Sequence, residues 1–428
     1  MIQDRNRFRG GMRRGTVTAG LVAALAAATV LGAGAVAQSP AVSGDITYWH
    51  HFTEENEMKG LEHAEQVFET DNPGAVVTSE TVPNPDYMTK VVTAVQSGQR
   101  PDTAMISVDR LADMVEMGAV LPITDRVKAW EHYGDFSQAV WDGITYNGEI
   151  YGIPAFSFVD VLFYRSDWFE EKGLTPPTNW DEFQAAAIAL TDPAQGRYGF
   201  ALRGGAGGAG WAMKVLESFG VTWLDDSGQP AIDRDTLIRG LTYYTDLATT
   251  HQAVPPSTAG DGYSETVTGF KTGVTGMLFQ STGALADIST GLTAGEQFLS
   301  APMPSGDGGP SGRMSALYNG MMSDANADAA WAWLTHWGRA DAQIDFMKAT
   351  GYFPPGTEAQ QDPFIANDPI MAPAAMAAAA GVPETQFAGL PGFQADVLLP
   401  ALQEVLTGQK TAEQAADDII AGLADAVS

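Results

Sequence analysis

Between Ile46 and Met117 the chain alternates between short runs rich in β-branched and aromatic residues and longer stretches with helical spacing. Ile46–Phe52, Ala75–Val82 and Thr103–Val108 read as strands. Glu54–Thr70, Tyr87–Ser97 and Arg110–Met117 read as helices, the first with Met58, Leu61 and Phe68 near one face. Asp71-Asn72-Pro73-Gly74, Gly98 with Pro101, and Gly118 stop them. Successive strands joined through helices run parallel, so the expected class is α/β with a doubly wound sheet. Ligands of such sheets sit beyond the carboxyl ends of the strands. His50, His51, Asp109 and Arg110 follow strands directly and are placed for that crevice.

Further along, Asn147-Gly148 predicts a hairpin turn. Leu162–Tyr164 is strand-like, Trp168–Lys172 is a helix closed by Gly173, and Asn179 or Thr178 caps the next one. The glycine-rich run Gly204–Gly210 has no Gly-Lys-Ser/Thr after it and no strand just before it. It therefore reads as a flexible loop ahead of a helix, not as a phosphate cradle. Ser305–Gly312 reads as a loose loop, Met314–Ser323 as a strand pair or crossover, and Ala366–Ala426 as an alanine-rich helical tail. Aromatic residues beside glycines or strand ends, namely Trp49, Phe158, Trp211, Tyr318 and Tyr352, are candidate pocket walls. Their flat faces suit the C–H faces of a sugar ring.

Composition removes several function classes. The 428 residues carry 52 acidic and 23 basic side chains, a formal charge of −29. Such a surface repels nucleic acid and anionic lipid. With no cysteine there is no disulfide, thiolate metal site, cysteine nucleophile or lipid-modified cysteine. His50 and His51 are adjacent, so in a strand they point to opposite faces, and the other histidines show no ligand spacing. Neither a metal site nor a cofactor is expected. No Gly-x-Ser-x-Gly elbow is present, and no carboxylate pair stands out, so no catalytic residue is assigned and the chain is not read as an enzyme.

The N-terminus carries Arg13 and Arg14, an apolar Val17–Val36 and an Ala35-Val36-Ala37 site. These predict a cleavable signal peptide over residues 1–37. No later stretch has 18 uninterrupted apolar residues, so the expected product is exported and not membrane-inserted.

Five ordered blocks carry a resemblance. "SGQRPDTAMISVDRLADMVEMGAVLPITD" (Ser97–Asp125), "YGIPAFSFVDVLFYRSDWFEEKGLTPPTNWDEF" (Tyr151–Phe183) and "FKTGVTGMLFQSTGALADI" (Phe270–Ile288) are three of them. "DAAWAWLTHWGRADAQIDFMKATGYFPP" and "VLTGQKTAEQAADDI" follow. Together they resemble the blocks of bacterial extracellular solute-binding proteins, in the carbohydrate-binding branch that feeds ABC importers. The resemblance implies a periplasmic binding protein-like fold, with two discontinuous doubly wound α/β lobes joined by hinge strands. The implied division is lobe 1 over 38–155 and 313–353, and lobe 2 over 156–312 and 354–428. Crossings are implied at the Tyr151–Tyr164 stretch, near Ala301–Met321, and at Phe353–Thr357. A monomeric periplasmic receptor is implied, without a lipid anchor, that captures a mono- or oligosaccharide and delivers it to the membrane permease subunits.

The resemblance also places ligand contacts. Asp109 and Arg110 fall where maltodextrin-type relatives bind sugar hydroxyls. Ser157 or Phe158, and after them Asp160, fall at the first crossing. In the Phe270–Ile288 block the family's stacking Trp is absent: Gly283 stands near its place, with Ser281 and Thr282 offering hydroxyls. Tyr318 and Asn319 offer a ring face and an amide at the return crossing. A glycerol-phosphate-type or polyol receptor of the same family is the near alternative, with Arg110, Arg203 and Arg313 available to a phosphate. An exported carbohydrate-active enzyme is the alternative of another class.

Overall fold

The computed structural model describes residues 42–225, 227–380, 382, 385, 387 and 389–427. The expected signal peptide over 1–37 lies outside the described residues. The chain opens with β1 (Ser43–His50), α1 (Glu55–Asp71), β2 (Gly74–Thr81), α2 (Tyr87–Ser97), β3 (Thr103–Ser107) and α3 (Val108–Glu116). β1 pairs in parallel with β2 along its whole length and with β3 at Tyr48 and Trp49. The predicted hairpin is present, with Asn147 (φ 51) and Gly148 (φ 82) both left-handed between Thr145–Tyr146 and Glu149–Ile150.

The segment that organises the molecule is β4 (Ile153–Tyr164), a 12-residue strand buried throughout except for the half-buried Phe158. Its near-continuous apolar sequence follows from cover on both faces. Val159, Val161 and Phe163 enter one core layer with Phe270, Phe298 and Met347. Leu162 and Tyr164 enter the other with Trp168, Trp180 and Trp211.

β4 pairs with different partners at its two ends. Residues from Ile153 to Val159 pair antiparallel with β8 (Met314–Met321), which also pairs antiparallel with β3. Residues Asp160–Tyr164 pair antiparallel with β6 (Thr275–Ser281), and Leu162–Tyr164 with β7 (Leu299–Ala301). β5 (Tyr198–Ala201) then joins β6 in parallel. The sheet is thus one path, β2-β1-β3-β8-β4-β6-β5, whose first and second halves share β4. A third segment touches the crossing where Ser157 and Phe353 exchange backbone hydrogen bonds of 2.7 and 2.8 Å.

Three expectations are corrected. Ser305–Gly312 contains a two-strand hairpin, Ser305–Gly306 with Gly309–Pro310, so it is not a loose loop. Of the two readings of Met314–Ser323, the strand pair gives way to the single strand Met314–Met321. The glycine-rich loop is tightly packed: a Cβ on Gly205 would lie 2.4 Å from the Gly260 carbonyl oxygen, and one on Gly208 2.3 Å from that of Arg203. Close backbone approach explains these glycines. The alanine-rich tail is helical but segmented, with a π turn at Gln394–Leu398 ahead of the helix Leu399–Leu406. Pro400 has no N–H to offer the Asp396 carbonyl, and the wider turn accommodates that loss.

Candidate functional site

Strand ends from both halves converge at the middle of β4. β1 and β3 end at His50 and Ser107, β8 starts at Met314 opposite Val159, and β6 ends at Ser281 opposite Asp160. Beside this point lies a cavity of about 760 Å³. One wall is α3, including Asp109, with Met314, Ser315 and Tyr318; the other is the C-terminal segment around Val382, Phe387 and Pro391. A second cavity of about 990 Å³ shares Val382 and Phe387 and extends over Trp223, Glu217 and Arg313.

The first-half edge is charged. Asp109 stands exposed in the first turn of α3, 3.9 Å from the Arg110 guanidinium. Arg110 donates to the Asn84 side chain and lies over the Tyr87 ring at 5.1 Å. His51 packs edge-on to Tyr87. Burial first, and the Arg110 guanidinium second, hold its imidazole below its ordinary range, with Glu57 and Asp109 opposing. Glu57 folds back over the start of α1, accepting the amides of Thr53 (2.8 Å) and Glu54 (2.9 Å). Its other oxygen accepts the Tyr352 hydroxyl.

Tyr352 carries the contact to the crossing. Its ring meets Phe158 edge-to-face at 4.8 Å and stacks on Phe156 at 5.1 Å. A Cβ on Gly283 would lie 3.1 Å from the Phe158 ring and 3.4 Å from that of Tyr352. Phe158, Gly283 and Tyr352, expected from separate parts of the sequence, therefore touch. Ser281 is half-buried beside them. Thr282 is buried, its hydroxyl accepting the Val159 amide at 3.4 Å.

Other expected residues lie inside. Trp49 is packed in the first-half core with Lys90 Nζ 4.3 Å over its ring. His50, on the opposite face of β1, is fully buried and accepts the Phe52 amide through Nδ1, while its Nε2 has no partner. Ser157 donates to the Phe353 carbonyl at 2.9 Å. Tyr318 edges the cavity, but its hydroxyl donates to Val140 O at 2.5 Å. Asn319 is buried and accepts from Tyr48. Trp211 is buried beneath Lys214 Nζ at 4.6 Å. The strand residues among them are enclosed by the layers on each face, which sequence position alone does not reveal, and Trp211 lies in the helix Gly208–Ser218.

The structure adds a polar network that sequence reasoning missed. Lys214 reaches Asp160 at 2.7 Å, and the Arg313 amide donates to the same carboxylate at 3.1 Å. Arg313 Nη2 donates to Glu217 at 2.6 Å, and the Trp223 indole donates to the other Glu217 oxygen at 2.8 Å. The available signal was Asp160, the one charged residue in the run Ile153–Tyr164, which needs a buried partner. Nothing local marks Lys214 or Arg313 as that partner.

Residues 54–344 match the family model of the bacterial extracellular solute-binding proteins. The chain belongs to this family. Among relatives of this solute-binding protein, a putative binding protein of Brucella abortus (strain 2308) is 25% identical over 86% of this chain and 89% of its own length. The mannitol-binding protein of Pseudomonas aeruginosa is 28% identical over 71% of this chain and 72% of its own. The GacH receptor of Streptomyces glaucescens, solved unliganded and with acarbose, superposes with a TM-score of 0.77 at 21% identity. That superposition covers 90% of this chain and 99% of the receptor. The fold is therefore that of the periplasmic binding proteins. No described helix is long and apolar enough to cross a membrane.

Proposed function

We propose that this solute-binding protein captures a neutral mono- or oligosaccharide between two lobes and hands it to the permease of an ABC importer. The observation that carries the reading is the meeting of Phe158, Tyr352 and Gly283 at the crossing, beside His51, Glu57 and Asp109. The rings offer apolar faces to sugar C–H groups, and carboxylate and imidazole groups hold hydroxyls. Ser281, half-buried beside the rings, completes the proposed contacts. The three arginines open to a phosphate reading are engaged elsewhere: Arg110 with Asn84, Arg203 with the Ala206 carbonyl, Arg313 with Glu217. That favours an uncharged ligand. The mannitol-binding relative favours an acyclic polyol as the second reading.

The reading divides the chain into lobe 1 (38–155 and 313–353) and lobe 2 (156–312 and 354–428). Separate cores support it, one containing Trp49, Ile106 and Trp141, another Trp168, Phe200 and Trp211. Closure over the ligand follows only from tighter binding to the closed form. Export to the periplasm behind the 1–37 segment, a monomeric state and the absence of enzymatic turnover belong to the same reading.

Calorimetry against maltose, maltotriose, mannitol and glycerol 3-phosphate tests it. A micromolar dissociation constant, about −8 kcal/mol, is expected for a sugar, and mannitol alone would favour the second reading. Binding of only the phosphate ester would overturn both. Recovery of chemically altered sugar after incubation would overturn the non-enzymatic role.

A further inference from the structure

Away from the cleft, three side chains capable of holding a metal converge where the chain has just left its third crossing. One atom each of His132, Asp135 and Glu358 lie within 4.8 Å of one another. His132 Nδ1 is 2.7 Å from Asp135 Oδ2, and Glu131 approaches Nε2 at 3.9 Å. Trp130 packs edge-on to the imidazole at 5.3 Å and limits its rotation. Among the described residues, no lysine or arginine pairs with any of these carboxylates. Three negative groups thus surround one imidazole without a fixed cation.

The two contributing segments belong to different cores. Trp130, Tyr133 and Phe136 pack into the first-half core. Glu358 lies in the short helix Thr357–Gln360, whose Ala359 packs into the layer around Val159 and Phe298. The Thr357 hydroxyl donates to the Asp135 carbonyl at 2.9 Å, so the two segments are already in register.

We infer that His132, Asp135 and Glu358 form a site for a divalent transition-metal ion of the zinc class, stapling the two halves next to the hinge. An imidazole nitrogen with two carboxylate oxygens suits Zn²⁺, whereas Ca²⁺ takes six to eight oxygens and gains little from a nitrogen. Water would fill the remaining positions. An ion that binds only the folded chain raises its thermal midpoint, and the rise grows with the logarithm of the free-ion concentration above the dissociation constant.

The test is calorimetric titration of the untagged chain with ZnCl₂, repeated with CaCl₂, alongside thermal melts. The expected result is one Zn²⁺ per chain, at least tenfold weaker Zn²⁺ binding in His132→Ala and in Glu358→Gln, and a Zn²⁺-dependent rise in midpoint that both variants lose. Glu358 is exposed, so its variant keeps the test valid if His132→Ala fails to fold. Zn²⁺ affinity equal in wild type and Glu358→Gln would overturn the site. So would Ca²⁺ binding as tightly as Zn²⁺, since that marks a plain acidic surface.

Discussion

The walls of the two cavities, the banks of the proposed cleft, use the same kind of interaction to opposite ends. On the first-half bank, Asp109 lies 3.9 Å from Arg110 with 57% of its side chain exposed. In the wall of the second cavity, Arg313 and Glu217 pair at 2.6 Å with only 5% and 11% exposed. An exposed carboxylate at that distance contributes little to the fold and leaves its lone pairs available to a guest. A buried pair is bound to the fold, because each charge depends on the other for its solvation. The glycines differ in the same way. Gly205 and Gly208 press backbone against backbone, whereas Gly283 faces two rings that can move.

The largest expected effect comes from breaking the buried pair. Arg313→Met strands Glu217 with two neutral donors, the Trp223 indole and the Thr385 hydroxyl, and should cost about 3–5 kcal/mol in urea denaturation. A loss below about 1 kcal/mol would show that water reaches Glu217 and that the banks do not differ in this respect.

Next is acidity. His50 and His336 are both buried in the first half, and both imidazoles are pushed down to about 4. Burial is the main cause for each; His51 adds to it for His50 and Arg339 for His336. The unfolded chain takes up protons near pH 6.5 while the folded chain refuses them until about 4, so their contribution is full above 6.5 and lost as pH falls. His336→Gln should flatten the slope of unfolding free energy against pH in this window by about 1.4 kcal/mol per pH unit. Hydrogen exchange should rise in β1 and in the helix Ala327–Gly338 before β6. Simultaneous opening of β6 would contradict a difference between the halves.

What could be read from the sequence follows the range of the forces involved. The N-terminal strands and helices were legible within three residues at each end, because periodicity and stop signals are local. β4 was recognisable as a crossing by its block but not by its length, since an apolar run does not say how many layers cover it. Phe158, Gly283 and Tyr352 were legible one at a time; their contact is a tertiary fact. Trp49 and Tyr318 show the converse, as strand-end aromatics look alike whether they face a cleft or a covering helix. His132 and Asp135 lie three apart, a spacing that means little until Glu358 is brought in from far along the chain.

The glycines give a smaller, paired effect. Gly205→Ala drives a methyl into the Gly260 carbonyl and should destabilise by about 1–3 kcal/mol, seen in chemical denaturation. Gly283→Ala meets only ring edges at 3.1 and 3.4 Å, so stability should change by less than about 1 kcal/mol. Its effect should fall on ligand affinity, because the methyl displaces Phe158. Equal destabilisation by the two would mean the crossing is as rigid as the loop.

Asp109→Asn should have the smallest effect on the fold and separates the banks most cleanly. The carboxylate is exposed and its ion pair with Arg110 is long, at 3.9 Å, so the unfolding free energy should stay within about 0.5 kcal/mol of wild type. If Asp109 accepts a ligand hydroxyl, losing its charge weakens a charge-assisted hydrogen bond, by about 1.5–3 kcal/mol. Calorimetry with the best-binding sugar should then show roughly ten- to a hundredfold weaker affinity, on the scale of 1.4 kcal/mol per decade. An unchanged affinity in a stable variant would move the ligand away from the α3 wall, towards the rings of Phe158 and Tyr352, and leave the first bank without a recognition role at Asp109.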